Sequence, residues 1–358
     1  MKSFLGLFII AFFVFCKNIN PNDSDDAHGD YYPHPVYPDV MLDSSAIKLS
    51  ESYFIPLTDP IWYPASQSHH MRNDDYVIGI VLGTSTYAFP WWIMKNYHIA
   101  NVYLDSIPVV VTLCEMCSGG AAFRASIHDQ RLVFMQEGLY KGTWFMRDTQ
   151  TDSYWTPFVG ESFAGTLKGN QLIDIETYQT NWSTWLHLHP DTKVIYDTQE
   201  MRTGHGSFEY PGSSRMANAF EKSLHVPLSS MANPFELVIG IEVDHHPKAY
   251  PLKALDSLKS RVLNDKIQDS ICVVVFHELN NTYGGGFDPV IGGNIILHFK
   301  DDGHVISDEE TQSIWNLSGV CTNGKLKGSK LKPYFFTMKE KYGWINSHPN
   351  TEMYCYCR

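Results

Sequence analysis

Short apolar runs separated by turns dominate the chain from residue 76 onward. The runs "YVIGIVL" (76–82), "IPVVVTL" (107–113) and "SICVVVF" (270–276) are rich in β-branched residues and have the length of strands. The segments "FPWWIMKN" (89–96) and "NWSTWLHLH" (181–189) predict short helices. Because strand and helix signals do not alternate regularly, the pattern predicts an α+β fold dominated by antiparallel sheet.

This pattern occurs twice along the chain. Sequence blocks recur in the same order at offsets of 159 to 164 residues, among them "YVIGIVLGTSTYAFPWW" with "LVIGIEVDHHPKAYPLK" and "WSTWLHLHPDTKV" with "KYGWINSHPNTEM". We therefore predict two tandem homologous β-rich lobes with short helices, related by an approximate two-fold axis. The first repeat unit spans 52–198 and the second 236–358, and a Gly-, Ser- and Pro-rich connector spans 199–235.

The N-terminus predicts export. The apolar run Phe4 to Phe15 is too short to span a bilayer and fits the hydrophobic part of a secretion signal. Cys16 follows it directly, as the lipidation cysteine does in bacterial lipoproteins. Residues 1–16 are thus predicted as a signal or lipoprotein-type segment, and the polar, acidic residues 17–51 as a flexible tether. We expect a periplasmic or cell-surface protein that touches the membrane only through a lipid anchor at Cys16.

Composition narrows the class of partner. The chain has 358 residues, 44% of them apolar, and its 27 basic against 39 acidic residues give a net charge of −12. Nucleic-acid binding needs clustered cations, so this balance argues against such a partner and leaves a protein or a small molecule. No nucleophile elbow, phosphate-binding glycine loop or HExxH motif supports a hydrolase or kinase.

Cysteine is the residue type with the clearest chemical pattern. Seven cysteines are present, and removing Cys16 leaves an even number that is compatible with disulfides. Cys114 and Cys117 form a C-x-x-C pair at a predicted strand end, before two glycines that allow positive φ and close backbone approach. At the C-terminus, Cys355 and Cys357 are spaced too tightly for an easy disulfide with each other.

The repeat separates architecture from chemistry, because residues present in both units are expected to serve the fold. The shared aromatic and cap residues are Trp155 with Trp315, Trp185 with Trp344, and His189 with His348. The cysteine pair is not shared, since Cys114 aligns with Glu278 and Cys117 with Asn281. The fold therefore does not need these thiols, and the first unit is predicted to carry a functional site at them.

Three chemistries remain open for that pair. A soft ion such as copper, or zinc, would take Cys114 and Cys117 as ligands, completed by His98 or Met116. Alternatively, the thiols serve a thiol-dependent enzyme or redox protein, or they form a plain disulfide in a non-catalytic binding module. Further site candidates are Asn101, Glu115 and His205.

These motifs together resemble a known family. From about Leu57 to Tyr354 the chain is similar to bacterial exported proteins catalogued as domain of unknown function 3179. Members usually have Cys-Pro-Leu-Cys at the strand end, where this chain has Glu115 and Met116 between the cysteines. Members also carry a His-Glu pair before an Asn-Asp, of which only His98 and Asn101 are present here. The resemblance implies a fold and a cell-envelope location without naming a reaction.

Overall fold

The structure is a computed structural model that describes residues 46–48, 54–196 and 218–355. The predicted signal segment with Cys16, most of the predicted tether, and His205 and Cys357 lie outside these residues. Within the described part of the chain, no helix is long and apolar enough to cross a bilayer.

Strands make up most of the first half. In chain order they are β1 (Ile47–Lys48), β2 (Leu57–Thr58), β3 (Ile61–Pro64), β4 (Tyr76–Leu82), β5 (Ser85–Pro90), β6 (Ile99–Leu104), β7 (Ile107–Cys114), β8 (Gly119–Arg124), β9 (Ser126–Ile127), β10 (Gln130–Arg131), β11 (Phe134–Tyr140), β12 (Thr143–Asp148), β13 (Tyr154–Trp155), β14 (Ser162–Ala164), β15 (Ile173–Asn181) and β16 (Lys193–Tyr196). The helices are α1 (Trp91–Met94) and α2 (Trp182–Leu188), with a 3₁₀ turn at Ala65–Gln67.

The second half presents its elements in much the same order. Its strands are β17 (Leu237–Val243), β18 (His246–Pro251), β19 (Val262–Ile267), β20 (Ile271–His277), β21 (Gly284–Asp288), β22 (Val290–Ile291), β23 (Ile295–Ile296), β24 (Phe299–Asp301), β25 (Ile306–Asp308), β26 (Ile314–Trp315), β27 (Cys321–Asn323), β28 (Lys332–Pro333), β29 (Phe335–Glu340) and β30 (Glu352–Met353). The helices are α3 (Asn218–Lys222), α4 (Leu252–Ser257) and α5 (Lys341–Ser347), with a 3₁₀ turn at Leu228–Ser230.

The predicted α+β class is confirmed as a β-rich fold with few short helices. In the first half, one sheet has the order β2-β6-β7-β8-β15-β4-β5-β16-β3 and a second has β1-β11-β12-β13-β14. The second half has three four-stranded sheets, β29-β17-β18-β30, β19-β20-β21-β28 and β24-β25-β26-β27. Among the described strands, only β2–β6, β5–β16 and β18–β30 pair in parallel. The two-fold relation between the lobes stays a prediction.

The predicted elements are located within a few residues of the observed ones. Strand β4 covers the predicted 76–82, whereas α1 is shorter than the predicted 89–96 because the preceding residues to Pro90 belong to β5. Asn181 begins α2 by accepting a hydrogen bond from the backbone N–H of Thr184. Inside the segment predicted as a tether, Ile47 and Lys48 pair with β11.

A buried aspartate organises a turn in each half. Asp148 and Asp308 are both fully buried and end β12 and β25. Each carboxylate accepts hydrogen bonds from a threonine hydroxyl, from backbone N–H groups and from a tryptophan indole, that of Trp155 or Trp315. The shared tryptophans are therefore anchored to a turn, in agreement with the predicted architectural role.

Replacing Asp308 with asparagine is expected to lower the free energy of unfolding by about 1–2 kcal/mol, because bonds to a charged acceptor are stronger than bonds to an amide. Urea denaturation at pH 7 measures the loss. The neighbouring Glu309→Gln variant is the control, since this residue is exposed and should change little. An equal loss in both variants would contradict the role of the Asp308 carboxylate.

The two halves share a core between β15 and β29. One hydrophobic cluster joins Trp185 of the first half to Phe336 of the second. The rings of Tyr178 and Tyr283 stack with centroids 4.8 Å apart, and the Gln179 side chain donates to the backbone oxygen of Met338. This packing brings the end of β29 in the second half against the loop after β7 in the first.

Candidate functional site

The cysteine pair lies in a tight turn between β7 and β8. Cys114 pairs with Gly119 across the hairpin, and the backbone N–H of Cys117 donates to Sγ of Cys114 at 3.3 Å. Ser118, with φ of 52°, is the left-handed residue that closes the turn. Both cysteines are buried, with Cys114 1% and Cys117 0% exposed. The turn therefore fixes two thiols close together and away from bulk solvent.

The two glycines after the pair do not use the positive φ that glycine allows, because Gly119 and Gly120 are extended residues of β8. Their expected role in close approach is correct. A Cβ on Gly119 would lie 3.1 Å from Cβ of Lys339 and 3.3 Å from the ring of Phe158. The glycine thus makes room for a lysine from the other half.

Residues of β29 and α5 hold the turn from the second half. The backbone N–H of Glu340 donates to the Cys117 oxygen at 3.0 Å, and the Ser118 hydroxyl donates to Oε1 of Glu340 at 3.1 Å. The hydroxyl of Tyr342 donates to the Met116 oxygen at 3.0 Å. The site is therefore assembled only when the two halves are packed together.

Lys339 is fully buried beside the cysteine pair. Its Nζ donates to the hydroxyl of Ser347 at 3.1 Å and lies 4.9 Å from the ring centroid of Phe158. A Cβ added to Gly343 would be 3.4 Å from Cβ of Cys117 and 3.8 Å from Cδ of Lys339, so both side chains border this glycine. Within the described residues, no carboxylate comes within ion-pair distance of this ammonium group.

Other buried cations of the described chain do have carboxylate partners. Those partners are Glu137 and Asp152 for Arg147, Asp265 for Lys248, and Glu236 for Lys341. A buried charge without a counter-ion is costly, so an ammonium group at Lys339 requires an anion nearby. The sulfurs of Cys114 and Cys117 are the groups whose charge acts favourably on it.

Burial and the neighbouring groups shift the pKa values of Lys339, Cys114 and Cys117. Burial lowers the pKa of Lys339 to about 8, and the two cysteines oppose this shift. Burial alone would raise the pKa of Cys114, but hydrogen bonds from Cys117 and Thr143 outweigh it and lower the pKa. Burial and the adjacent Cys114 raise the pKa of Cys117 well above its usual value, against the opposing charge of Lys339. Cys114 is therefore the thiol that ionises first.

The repeat has different residues at the place that corresponds to this site. Val110 pairs with Phe123 in the first half, and Val274 pairs with Phe287 in the second. When these two strand pairs are superimposed residue by residue, Glu278 aligns with Cys114. The residues at the corresponding positions are Glu278 for Cys114, Asn281 for Cys117 and Thr180 for Lys339. There, Glu278 accepts hydrogen bonds from Asn281 and from Thr184. The lysine of the second half and the two cysteines of the first thus meet at one end of the shared core, and all three are replaced at the corresponding place.

Thr143 connects the thiols to a small cavity. Its hydroxyl lies 3.6 Å from Sγ of Cys117, and the residue lines a cavity of about 20 Å³ together with Trp144, Phe158 and Ser347. The cavity shares Val159, Glu161 and Ser347 with an open groove of about 550 Å³.

The groove lies between the halves and is acidic. Its charged lining residues are Glu161, Asp174, Glu242, Asp244, His245 and His348. Nε2 of His348 lies 3.0 Å from Oε2 of Glu242, while its ring stacks on Trp344 with centroids 3.7 Å apart. The small cavity therefore adjoins both this polar groove and Thr143, the residue that contacts Cys117.

His98 is not in contact with the cysteine pair through a hydrogen bond. Its ring stacks on Phe54 with centroids 3.9 Å apart and lies 6.1 Å from the ring of Trp144. Its backbone oxygen accepts from the N–H of Leu113, so the main chain of His98 is adjacent to the end of β7. Burial lowers the pKa of His98 to about 4.

Lowering the pH from 7 to 5 is expected to cost the protein about 2 kcal/mol of unfolding free energy through His98. The folded pKa of about 4 lies below the unfolded value. Between these two pH values the unfolded chain binds more protons than the folded protein, so the free energy of unfolding decreases as the pH is lowered. Urea denaturation at both pH values should show a smaller loss in His98→Asn. His128→Asn, an exposed histidine that also has positive φ, is the control and should keep the full loss.

The other predicted candidates are Asn101, which bonds to a neighbouring strand, and Glu115 and Met116, which lie in the cysteine turn. The Asn101 side chain exchanges two hydrogen bonds with the backbone of Phe134, as Asn264 does with Phe299, so it links strands. Glu115 and Met116 are half-buried residues of the cysteine turn. No group of three or more His, Cys, Asp or Glu side chains converges as metal ligands among the described residues. Metal binding by Cys114, Cys117, His98 and Met116 stays a prediction.

Sequence reasoning missed Lys339, Thr143 and Ser347. Lys339 is separated from the cysteine turn by more than two hundred residues, and no local motif marks it. The repeat could have identified it, because the offset of 159 residues aligns Lys339 with Thr180. A charged residue that replaces a neutral one within an otherwise shared strand is the available signal.

Comparison with known proteins gives one family. The family profile described as "Protein of unknown function (DUF3179)" matches residues 54–351. No curated protein and no solved structure matches the chain. The match covers most of the chain and includes the cysteine turn and the lysine strand that form the site. The chain therefore belongs to the DUF3179 family.

Proposed function

We propose that Cys114 and Cys117 are a redox-active dithiol that cycles with a disulfide, and that Lys339 stabilises its thiolate. The observation that supports this most is the buried lysine, which has no carboxylate partner among the described residues and borders two buried thiols. The corresponding place in the repeat, formed by Glu278, Asn281 and Thr180, lacks the lysine and both thiols. A nearby ammonium group favours thiol–disulfide exchange, because it stabilises the thiolate, which is the nucleophile of that reaction.

With a small disulfide such as oxidised dithiothreitol as the oxidant, the cycle has two steps. The Cys114 thiolate attacks one sulfur of the oxidant R–S–S–R, forms a mixed disulfide and releases one thiolate. Cys117 then gives up its proton and attacks Sγ of Cys114, which releases the second thiolate. The Cys117 proton and one proton from the Lys339 ammonium convert both leaving groups to thiols. Two electrons pass from the dithiol to the oxidant, and the lysine is left neutral beside a neutral disulfide.

Equilibration with mixtures of reduced and oxidised dithiothreitol tests this function. Alkylation followed by mass spectrometry should show Cys114 and Cys117 interconverting together in a single two-electron transition. Cys114→Ser and Cys117→Ser should each abolish it, whereas Cys321→Ser, which removes another buried free cysteine, should not. A pair that stays reduced or stays joined at every ratio contradicts the proposal and favours the non-catalytic binding module.

Binding of a soft metal ion is the second candidate. Two buried thiols within one turn, with Met116 between them, are donors that Cu(I) accepts. The ammonium of Lys339 opposes a second cation, so this candidate requires the lysine to be neutral. Titration of the reduced protein with Cu(I) or Zn²⁺ should then give one equivalent that survives dialysis and is lost in the Cys114→Ser/Cys117→Ser variant.

We also propose that the protein is exported to the cell envelope and anchored by lipid on Cys16. The cell envelope is an oxidising environment, in which a dithiol can be converted to a disulfide. Labelling of growing cells with a palmitate analogue tests the anchor, and Cys16→Ser should lose the label.

We further propose that the two lobes arose by duplication and are related by an approximate two-fold axis. The matching element order and the matching Asp148 and Asp308 turns support this.

A further inference from the structure

The burial of the thiols limits what can react with them. Cys114 and Cys117 are 1% and 0% exposed, and the main chain of their turn is bonded to Glu340 and Tyr342 of the second half. A disulfide on a protein surface cannot approach either sulfur unless these contacts break. The buried arrangement therefore favours a reactant of a few atoms over a macromolecule.

The cavity beside Thr143 has the size and polarity for such a reactant. Its volume of about 20 Å³ exceeds the space that one water molecule requires. The hydroxyl-bearing residues Thr143 and Ser347 line it, and these same residues bond to Cys117 and to Lys339 respectively. Neither cysteine lines the cavity, so a molecule in it would lie beside Thr143, the residue whose hydroxyl is 3.6 Å from Sγ of Cys117. The open groove shares three lining residues with the cavity and is the entry side that the inference uses.

We infer that the oxidant of this dithiol is a small hydroperoxide that enters through the cavity beside Thr143. The inference rests on the proposed dithiol function and names its substrate class. A hydroperoxide is small, uncharged and polar, and it carries the weak O–O bond that a thiolate cleaves. Thr143 is assigned as a positioning residue, because its hydroxyl contacts Sγ of Cys117 and the residue lines the cavity.

The chemistry balances in two steps. The Cys114 thiolate attacks the terminal oxygen of ROOH, the O–O bond breaks, and the Lys339 ammonium supplies the proton that turns the leaving group into ROH. This gives a sulfenic acid on Cys114 and a neutral lysine. The Cys117 thiol then attacks that sulfur, and its proton leaves with the hydroxyl as water, which forms the Cys114–Cys117 disulfide. The dithiol loses two electrons and the hydroperoxide gains two.

Stopped-flow fluorescence of the reduced full chain tests this inference. Trp144 reports on the site, because its indole N–H donates to the oxygen of Leu113 next to Cys114. Hydrogen peroxide, tert-butyl hydroperoxide, cumene hydroperoxide and glutathione disulfide are compared as oxidants. Hydrogen peroxide should react about 100-fold faster than free cysteine thiolate in the same buffer, since positioned donors contribute rates of that order. Cumene hydroperoxide should react at least about tenfold more slowly than hydrogen peroxide, because it exceeds the cavity.

Variants separate positioning from folding. Thr143→Val should lower the hydrogen peroxide rate by about tenfold or more at a pH where Cys114 is ionised, so that a changed pKa does not account for the loss. Thr337→Val is the control, since this buried threonine bonds to the Gly120 oxygen and does not line the cavity. Equal rates for small and large hydroperoxides, or a hydrogen peroxide rate no faster than that of free cysteine, would overturn the inference. If the dithiothreitol transition is then normal, only the hydroperoxide inference is rejected and the dithiol function is retained. If that transition is also lost, the hydroperoxide inference and the dithiol function are both rejected.

Discussion

Replacing Lys339 with methionine is expected to slow alkylation of Cys114 at pH 7 by about tenfold or more, because removing the ammonium removes the charge that favours a thiolate. Methionine fills a similar volume and leaves no buried polar group, so the fold is expected to persist. The rate of iodoacetamide reaction across pH, read by mass spectrometry of the peptide containing Cys114, measures the shift. The reaction should reach half its limiting rate at a higher pH than in the unmodified protein.

The same substitution is expected to act on the redox equilibrium. Lys339 stabilises the reduced form, in which it faces a thiolate, and gains nothing from the uncharged disulfide. Its removal should therefore make the reduction potential more negative, by about 30 mV for each tenfold change in the dithiol equilibrium constant. In the disulfide form, Lys339→Met should be at least as stable as the unmodified protein, because a buried lysine without an anion has been replaced by an apolar side chain.

Lys248→Met is the matched control for both effects. Lys248 is also buried in the second half, but it pairs with Asp265 at 2.7 Å and does not border the cysteine turn. This variant should lose stability, since it leaves a carboxylate without its partner, and should keep the alkylation profile of Cys114. If both lysine variants shift that profile equally, the effect comes from general loosening and the assignment of Lys339 is wrong.

The strands could be predicted because their signal is local. Runs such as "YVIGIVL" bury both faces, and the observed β4 has the predicted ends. The cysteine turn could be predicted because the repeat exposed it as a difference between two otherwise similar units. The nearness of His98 in the sequence predicts a ligand, which stays a prediction, whereas the stacking of its ring on Phe54 could not be predicted because sequence spacing carries no information about the rotamer.

The rest of the site depends on contacts between distant segments. Lys339, Ser347 and Glu340 reach the cysteine turn only because β15 and β29 pack together, and side-chain periodicity within one strand does not specify its partner across the core. The glycines after the cysteines show the same limit. Their backbone is ordinary strand, and their purpose is the space that Lys339 and Ile78 occupy, which no local rule predicts.

Gly79 and Gly240 occupy corresponding positions in the two halves, so substitutions at them disturb the packing of one half at a time. A Cβ at Gly79 would overlap the indole of Trp185, and a Cβ at Gly240 would overlap that of Trp344. Each indole N–H also donates to a threonine hydroxyl, and each ring packs against a histidine, so neither ring can move without breaking contacts. Gly79→Ala and Gly240→Ala are therefore each expected to lower the free energy of unfolding by about 2–3 kcal/mol, as overpacking of a core does.

The two variants should differ in thiol chemistry. The ring of Trp344 lies 5.8 Å from Nζ of Lys339, whereas the described part of the chain places Thr180, not a lysine, at the corresponding position near Trp185. Displacing Trp344 should move the ammonium and change the Cys114 alkylation rate severalfold, and displacing Trp185 should leave that rate unchanged at equal loss of stability. Urea denaturation and alkylation of the same samples measure both quantities. Equal alkylation rates in the two variants would mean that Lys339 does not control the thiol, because only one of them disturbs the packing on which its position depends.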